Sequence, residues 1–259
     1  VNAQHPVGAR PGGMGDAYIT MADNANSLYH NPAGLLFLKG ISFDVSFGYK
    51  GFPLPDNWGM FFARPVPGGN AVGMGFIRQK TAWYDAEFIS FQMILPATLP
   101  ITESLKTGIG MKYVTQKRED SDYDAKFSVD AGIMWRPGPF AFAVTIDNFL
   151  DPKMRSFPVR YIAGAGLRLG FLNVEGDIVA NEWQDFRDDR KYRAGLEIFP
   201  TQVFSIRGGW SNVSGYEEVS VGIGLHSRAR GVNINYCYRA NYDDLTTGTH
   251  WITYTYLTI

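Results

Sequence analysis

Residues Val232–Tyr242 read VNINYCYRANY, and along this stretch apolar and polar side chains alternate. The first set is Val232, Ile234, Tyr236, Tyr238, Ala240 and Tyr242, and the second is Asn233, Asn235, Cys237, Arg239 and Asn241. Successive side chains of a β-strand point to opposite faces, so this segment has one apolar face and one polar face. The pattern recurs from Val203 to the end of the chain. A closed transmembrane β-barrel accommodates both faces, because lipid covers the outside and the lumen is polar.

The same alternation predicts fourteen antiparallel strands between residues 41 and 259. Their approximate bounds are 41–50, 58–66, 71–84, 86–96, 106–118, 125–136, 140–149, 159–169, 171–182, 191–199, 203–212, 218–227, 232–242 and 249–259. Short Gly/Pro-rich turns at 67–69, 137–139, 170, 200–202 and 229–231 alternate with longer polar loops at 51–57, 118–124, 151–158, 182–190, 212–217 and 243–248. Short turns at one end and longer loops at the other are typical of Gram-negative outer-membrane barrels. An even strand number then predicts that both termini are periplasmic.

Composition excludes several other classes of protein. Aromatic residues make up 15% of the 259 residues, yet the mean hydropathy is only −0.14. No apolar run reaches the roughly 18 residues of a membrane-spanning helix. A net charge of −1 provides no basic surface for nucleic acid. The single cysteine, Cys237, excludes an internal disulfide.

Residues 1–40 differ from the rest because they contain no alternating strand. Glycines at 12, 13 and 15 are followed by Asp23, which we expect to cap a short helix that runs through Tyr29 and stops at Asn31-Pro32. We therefore divide the chain into an N-terminal segment, 1–40, and a barrel, 41–259.

The polar faces of the predicted strands carry charges of both signs. The predicted lumenal charge network comprises Asp130, Asp147, Arg160, Arg168, Glu175, Asp177, Arg193, Glu197 and Arg207, with Asp44, Lys112 and Arg239 on the same faces. Because the two signs are balanced, these groups can satisfy one another by ion pairs. This predicts a packed or plugged lumen more than a wide pore selective for one sign of ion.

Residues that would carry covalent chemistry or bind a metal form no recognisable set. The four histidines have no metal-ligand spacing, so we expect no metal site. His226 falls on a polar face with Ser205 and Ser220, but no G-x-S-x-G motif accompanies them, which disfavours a hydrolase. The glycine-rich stretch at 12–15 lacks the Lys-Ser/Thr pair of a nucleotide loop. We expect neither enzymatic activity nor a cofactor.

The N-terminal segment resembles a known family. GARPGGMGDA at 8–17 and ADNANSLYHNPAGL at 22–35 resemble the opening motifs of PorV/PorQ-type proteins, within the wider FadL-like outer-membrane barrels. The resemblance implies a fourteen-stranded barrel with an N-terminal helical hatch in its lumen. Residues carried over to this lumenal plug are Gly12, Gly13, Met14, Gly15, Asp16, Tyr29, Asn31 and Pro32. The loops here are shorter than those of the family's longer members, so an external ligand basin is not expected.

Two functions follow from the resemblance. The first is a partner-binding component of a type IX-like secretion or surface-assembly system, in contact with other outer-membrane or secretion proteins. The alternative is passive transport of a hydrophobic small molecule, whose site would also take a detergent. Family transporters have a lateral opening at a kinked early strand, and Pro65, Pro67, Pro96 and Pro100 are candidates for that break. The other interpretation places these prolines in periplasmic turns.

Overall fold

A computed structural model of the chain describes residues 7–50, 55–83, 86–116, 124–151, 157–181, 190–212, 216–227 and 231–258. Side chains are described except at 80–97, 116 and 124. The N-terminal part contains two short helices, α1 (Ala9–Gly13) and α2 (Ser27–His30), and a 3-10 helix at Pro32–Phe37. Neither α-helix is long and apolar enough to cross a membrane.

The rest of the chain forms one closed antiparallel barrel of fourteen strands. They are β1 (Ser42–Tyr49), β2 (Asn57–Val66), β3 (Asn70–Trp83), β4 (Ala86–Pro100), β5 (Leu105–Gln116), β6 (Asp124–Trp135), β7 (Phe140–Asp147), β8 (Arg160–Arg168), β9 (Leu172–Ala180), β10 (Lys191–Thr201), β11 (Phe204–Ser211), β12 (Glu218–Ser227), β13 (Val232–Asn241) and β14 (Asp244–Leu257). Each strand pairs with its sequence neighbours, and β1 closes the barrel against β14. The predicted all-β fold and its strand number are confirmed.

Alternating burial follows the sequence pattern along the strands. In β13 the side chains of Asn235, Cys237 and Arg239 are buried, whereas Ile234 is 48% exposed. The alternation ends at Ala240, which is buried, because the pairing of β13 with β14 shifts register between Arg239 and Asn241. The exposed apolar belt of the outer face and the polar inner face therefore follow from the two-residue period.

Two strands and one helix differ from the predictions. Residues 244–248 of the predicted loop at 243–248 belong to β14, because Asp244 pairs with Asn241 across a tight turn. β4 continues to Pro100 rather than ending at 96. The predicted helix start at Asp23 is wrong, since α2 begins at Ser27 and the Asp23 carboxylate binds arginines instead. The other predicted long loops lie wholly or partly outside the described residues.

The two ends of the barrel differ, and we name them by their connections. The turn end carries the short connections at 67–69, 136–139, 169–171 and 202–203. The N-terminal segment joins β1 at this same end, where Gly40 lies against Thr258. The opposite end, where the described residues 50, 55–56, 148–151, 157–159, 181 and 190 lie, is the loop end.

Candidate functional site: the lumen and its hatch

Residues 7–38 of the N-terminal segment lie against the inner face of the barrel and are almost entirely buried. We call this segment the hatch. Helix α1 packs on β11–β14, whereas the 3-10 helix packs on β2–β6. The hatch thus crosses the lumen from one wall to the other.

The predicted plug residues at 12–16 lie in close contact with the wall. Gly15 has a φ of 63°, and a Cβ there would lie 2.5 Å from the backbone nitrogen of Trp210. Met14 is fully buried next to Gly195. Only a residue without a side chain fits at Gly15, because both the backbone angle and the space exclude a Cβ.

The remaining predicted plug residues lie at the other wall. The Asn31 side chain accepts a hydrogen bond from the Ala33 nitrogen (3.1 Å) and donates one to the Ile19 carbonyl (3.0 Å). Pro32 starts the 3-10 helix, so Asn31-Pro32 ends α2 and leads into that helix. Tyr29 packs edge-on against His30, at 5.1 Å between ring centroids. The two hydrogen bonds of Asn31 tie the parts of the hatch at Ile19 and Ala33 together.

A chain of ion pairs fixes the hatch at the turn end. Arg10 donates to Asp23 (2.7 Å) and to Glu197 of β10 (2.9 Å). Arg168 of β8 reaches Asp23 (3.1 Å), and Arg207 of β11 reaches Glu197 (2.7 Å). We call Arg168, Asp23, Arg10, Glu197 and Arg207 the turn-end chain. Two hatch residues are thus held directly by β8 and β10, and Arg207 of β11 supports Glu197.

Three nearby arginines control the ionisation of Asp23. Burial alone would raise the pKa of the Asp23 carboxyl, but Arg10, Arg168 and Arg136 outweigh burial and lower the pKa. Asp23 therefore carries a negative charge at neutral pH.

The other predicted network residues form further pairs along the wall. Lys112 pairs with Asp130 (2.6 Å), and Arg160 pairs with Asp147 (2.6 Å). Glu175 accepts a hydrogen bond from the Thr20 nitrogen of the hatch (2.6 Å). Asp177 and Arg193 are opposed in register on β9 and β10. The described network residues therefore pair locally, in charged clusters around the wall.

Sequence reasoning missed the contribution of the hatch to these pairs. Asp16 shares Arg239 of β13 with Glu218 of β12. Asp16 was assigned to the plug, but Arg10, Asp23 and Glu218 were not assigned to any site. A signal was available, since a buried charge in a Gly/Ala-rich segment needs a partner on the surface that it covers.

One sector of the lumen wall is apolar. Phe61 and Ala63 of β2 and Ala71 and Ile77 of β3 are 0–2% exposed. They pack against hatch residues and Trp251 in a single cluster; the hatch residues in it include Val7, Leu28, Leu35 and Leu38. We call this region of β2 and β3 the apolar sector. The charged clusters described above lie on other strands.

The backbone ladder between β3 and β4 stops short of the turn end, next to the apolar sector. β3 and β4 are paired from Trp83–Ala86 to Gly75–Ile94. Toward the turn end, described residues 70–74 pair with β2 and 95–100 with β5, but not with each other. Here the Thr98 hydroxyl binds the Ala71 nitrogen (2.9 Å) and carbonyl (3.3 Å) in place of a backbone ladder. We call this region the seam.

The four candidate gate prolines occupy different positions. Pro96 lies within β4 at the seam, where its missing N–H removes one donor from the ladder. Pro100 ends β4, and Pro65 lies in β2 opposite Ala71. Pro67 lies in the turn 67–69. The turn interpretation therefore fits Pro67 and is wrong for Pro65, Pro96 and Pro100.

Ser205, His226 and Asn233 form a hydrogen-bonded row on β11–β13. The Ser205 hydroxyl lies 2.9 Å from His226 Nε2, and His226 Nδ1 lies 3.1 Å from Asn233 Oδ1. A Ser-His-Asn row resembles a hydrolase triad, but Ser205 is 0% exposed and its oxygen also accepts a hydrogen bond from Arg207 (2.8 Å). Ser220 instead binds the Gly15 nitrogen (3.1 Å). These serines support the lumen structurally.

Among the described residues, no group of His, Cys, Asp and Glu is arranged to hold a metal.

The fold is similar to that of three solved proteins. The "CymD monoaromatic hydrocarbon channel" superposes with a TM-score of 0.72 at 11% identity, over 97% of both chains. The Pseudomonas putida toluene transporter TodX gives 0.62 at 10% identity over 98% of both chains. Omp33 of Acinetobacter baumannii gives 0.53 at 13% identity over 85% of this chain and 98% of that chain. No family model and no curated protein sequence matches the chain. The chain therefore has the same fold as the CymD and TodX barrels.

Proposed function

We propose that this protein is a passive outer-membrane channel for small, neutral, apolar molecules, with its turn end toward the periplasm. The observation that carries this proposal is the position of the apolar sector directly beside the seam. An apolar solute gains about 25 cal/mol for each Å² of surface that it removes from water, and it gains nothing from the charged clusters. The route of lowest cost therefore follows Phe61 and Ala71 to the seam.

The similar structures support the same class of solute. Two of them are described as a monoaromatic hydrocarbon channel and a toluene transporter. These likenesses favour transport over the type IX-like secretion role that the sequence resemblance implied. The route would lead from the lumen through the wall into the hydrocarbon of the membrane, where an apolar molecule is most soluble.

A partner-binding role is the second candidate. It is favoured by the turn-end chain, which joins the hatch directly to β8 and β10 as expected of a permanent plug. Under this alternative, a block of the seam would not change solute entry. Binding of a co-purifying protein would depend on residues of the exposed surface.

A reversible block of the seam tests the proposal. Ala71 and Thr98 are replaced by cysteine in a Cys237→Ala background, and the pair is closed with a short dithiol-specific crosslinker. The matched control is the pair at positions 77 and 92, which face each other where the ladder is already continuous. Entry of the apolar dye N-phenyl-1-naphthylamine is measured in intact cells, whose lipopolysaccharide layer slows unassisted entry.

We expect the crosslink at 71 and 98 to stop protein-dependent dye entry and reduction to restore it. The control crosslink should leave dye entry unchanged. If both crosslinked proteins admit dye at the wild-type rate, the seam is not the route. If the wild-type protein adds nothing to background entry, the transport proposal itself is wrong.

A further inference from the structure

The turn end of the lumen contains an open vestibule formed by two adjoining cavities of about 810 and 700 Å³. Arg10, Asp23 and Arg168 line both cavities. The larger one reaches the turn residues Gly170 and Gln202, so it opens at the turn end. The vestibule lies apart from the apolar sector, whose residues Phe61 and Ala71 line neither cavity.

Positive charge exceeds negative charge on the vestibule lining. Arg10, Arg136, Arg168 and Lys39 contribute cations, and Asp23 is the single acidic residue among the described lining residues. Arg168 and Arg10 share that carboxylate, and Arg10 also pairs with Glu197, which lines neither cavity. Since the Arg168 side chain is 31% exposed, a soluble anion can approach it.

Arg136 provides an additional cation without a carboxylate partner. It donates to the backbone carbonyls of Thr20 (2.8 Å) and Ala22 (3.1 Å). Its guanidinium lies over the Phe37 ring, 4.0 Å from the ring centroid. Within the described residues, no carboxylate oxygen lies within ion-pairing distance of Arg136. A guanidinium fixed in this way is preorganised to attract an anion.

Apolar side chains complete the lining. Phe171, Phe199 and Leu257 line the larger cavity, and Phe199 and Leu257 also line the smaller one. A ligand with a charged head and an apolar body would therefore find partners for both parts. A neutral hydrocarbon would form no ion pair with the arginines, and an inorganic anion would make no apolar contact with the wall.

We propose that this vestibule binds a small organic carboxylate, whose head competes with Asp23 for Arg168 and whose apolar body lies against Phe199 and Leu257. The competition follows from the geometry, because Asp23 already occupies the position that the incoming carboxylate needs. The proposal does not depend on transport through the seam. It requires only that the vestibule is accessible from the turn end.

Ligand binding can be measured directly by fluorine NMR. The probe is 4-(trifluoromethyl)benzoate, titrated against the full chain in lipid nanodiscs, with empty nanodiscs as the background. The neutral 4-(trifluoromethyl)benzamide has nearly the same shape and tests the need for charge. The control variant is Arg64→Gln, because Arg64 lies at the turn end of β2 on the outer face.

The Arg168 and Asp23 variants are expected to change the affinity for the benzoate in opposite directions. Arg168→Gln should weaken benzoate binding by about tenfold, since it removes a charge-assisted hydrogen bond. Asp23→Asn should strengthen binding severalfold, because it removes the competing carboxylate. General damage to the hatch would weaken binding in both variants, so the increase in Asp23→Asn separates competition from misfolding. Arg64→Gln should bind as the wild type does.

Three results would overturn the proposal. The first is equal binding of the benzoate and the benzamide, which would indicate partition into an apolar surface. The second is unchanged affinity in Arg168→Gln. The third is weaker binding in Asp23→Asn. None of these results bears on dye entry through the seam, so failure here is distinguishable from failure of the transport proposal.

Discussion

Replacement of Gly195 by alanine should loosen the hatch without affecting the barrel. A Cβ at this position would lie 2.5 Å from the Met14 carbonyl oxygen and 2.8 Å from the Met14 Cβ. Ordinary van der Waals contacts are 3.4–4 Å, so the hatch must move away by roughly 1 Å. Overpacking of this kind costs about 2 kcal/mol. Because 1.4 kcal/mol corresponds to a factor of ten, local opening of the hatch should increase about thirtyfold.

Hydrogen–deuterium exchange, read by mass spectrometry on the protein in nanodiscs, measures this opening. Amide protection should fall in hatch residues 12–20 and stay constant in β10. The matched control is Gly208→Ala on β11, where an added Cβ would meet nothing within 4 Å. Equal protection of the hatch in both variants would refute the packing of Met14 against the wall at Gly195.

Three further predictions test the topology, the buried histidine and the plug. Cysteines at 234, 236 and 238 should react with lipid-phase probes, whereas cysteines at 233, 235 and 239 should not; equal labelling would contradict the register. Burial lowers the pKa of His30 to about 4 from an ordinary 6.5, even though its hydrogen bond to Val7 opposes this. Since the unfolded chain binds more protons between these values, stability should be complete above pH 6.5 and fall by up to about 3 kcal/mol toward pH 4. A His30→Gln variant should lose less stability across that window in denaturant titrations, and an identical loss would exclude His30 as the cause. Deletion of residues 1–36 should leave a barrel that inserts but conducts ions strongly in a planar bilayer, and unchanged conductance would place the hatch outside the conducting path.

Alternation made the barrel wall predictable from sequence. A strict period of two assigns Lys112, Asp130 and Glu197 to the inner face, and their burial agrees with that assignment. Strand ends were less predictable, since β14 starts at Asp244 only because that residue pairs across a tight turn.

Partners across the lumen could not be read from the pattern. The contact between Arg10 and Glu197 joins residues 187 positions apart, and no local periodicity specifies such a pair. Asp23 illustrates the same limit, because its sequence context predicts a helix cap while two arginines supply stronger partners. The seam was indicated in part by Pro96, but the substitution of the Thr98 hydroxyl for a backbone ladder depends on tertiary contact.

Photolabelling of the lumen tests the central claim most directly. A neutral aromatic probe, 3-phenyl-3-(trifluoromethyl)diazirine, is equilibrated with the protein in nanodiscs and activated by light, and the labelled residues are identified by mass spectrometry. Lipid-facing side chains such as Phe62 will be labelled in any case, so the buried residues decide the result. The proposed channel predicts labels on Phe61, Ile77 and Leu35 that excess toluene removes. Labels confined to the outer face would contradict entry of apolar molecules into the lumen.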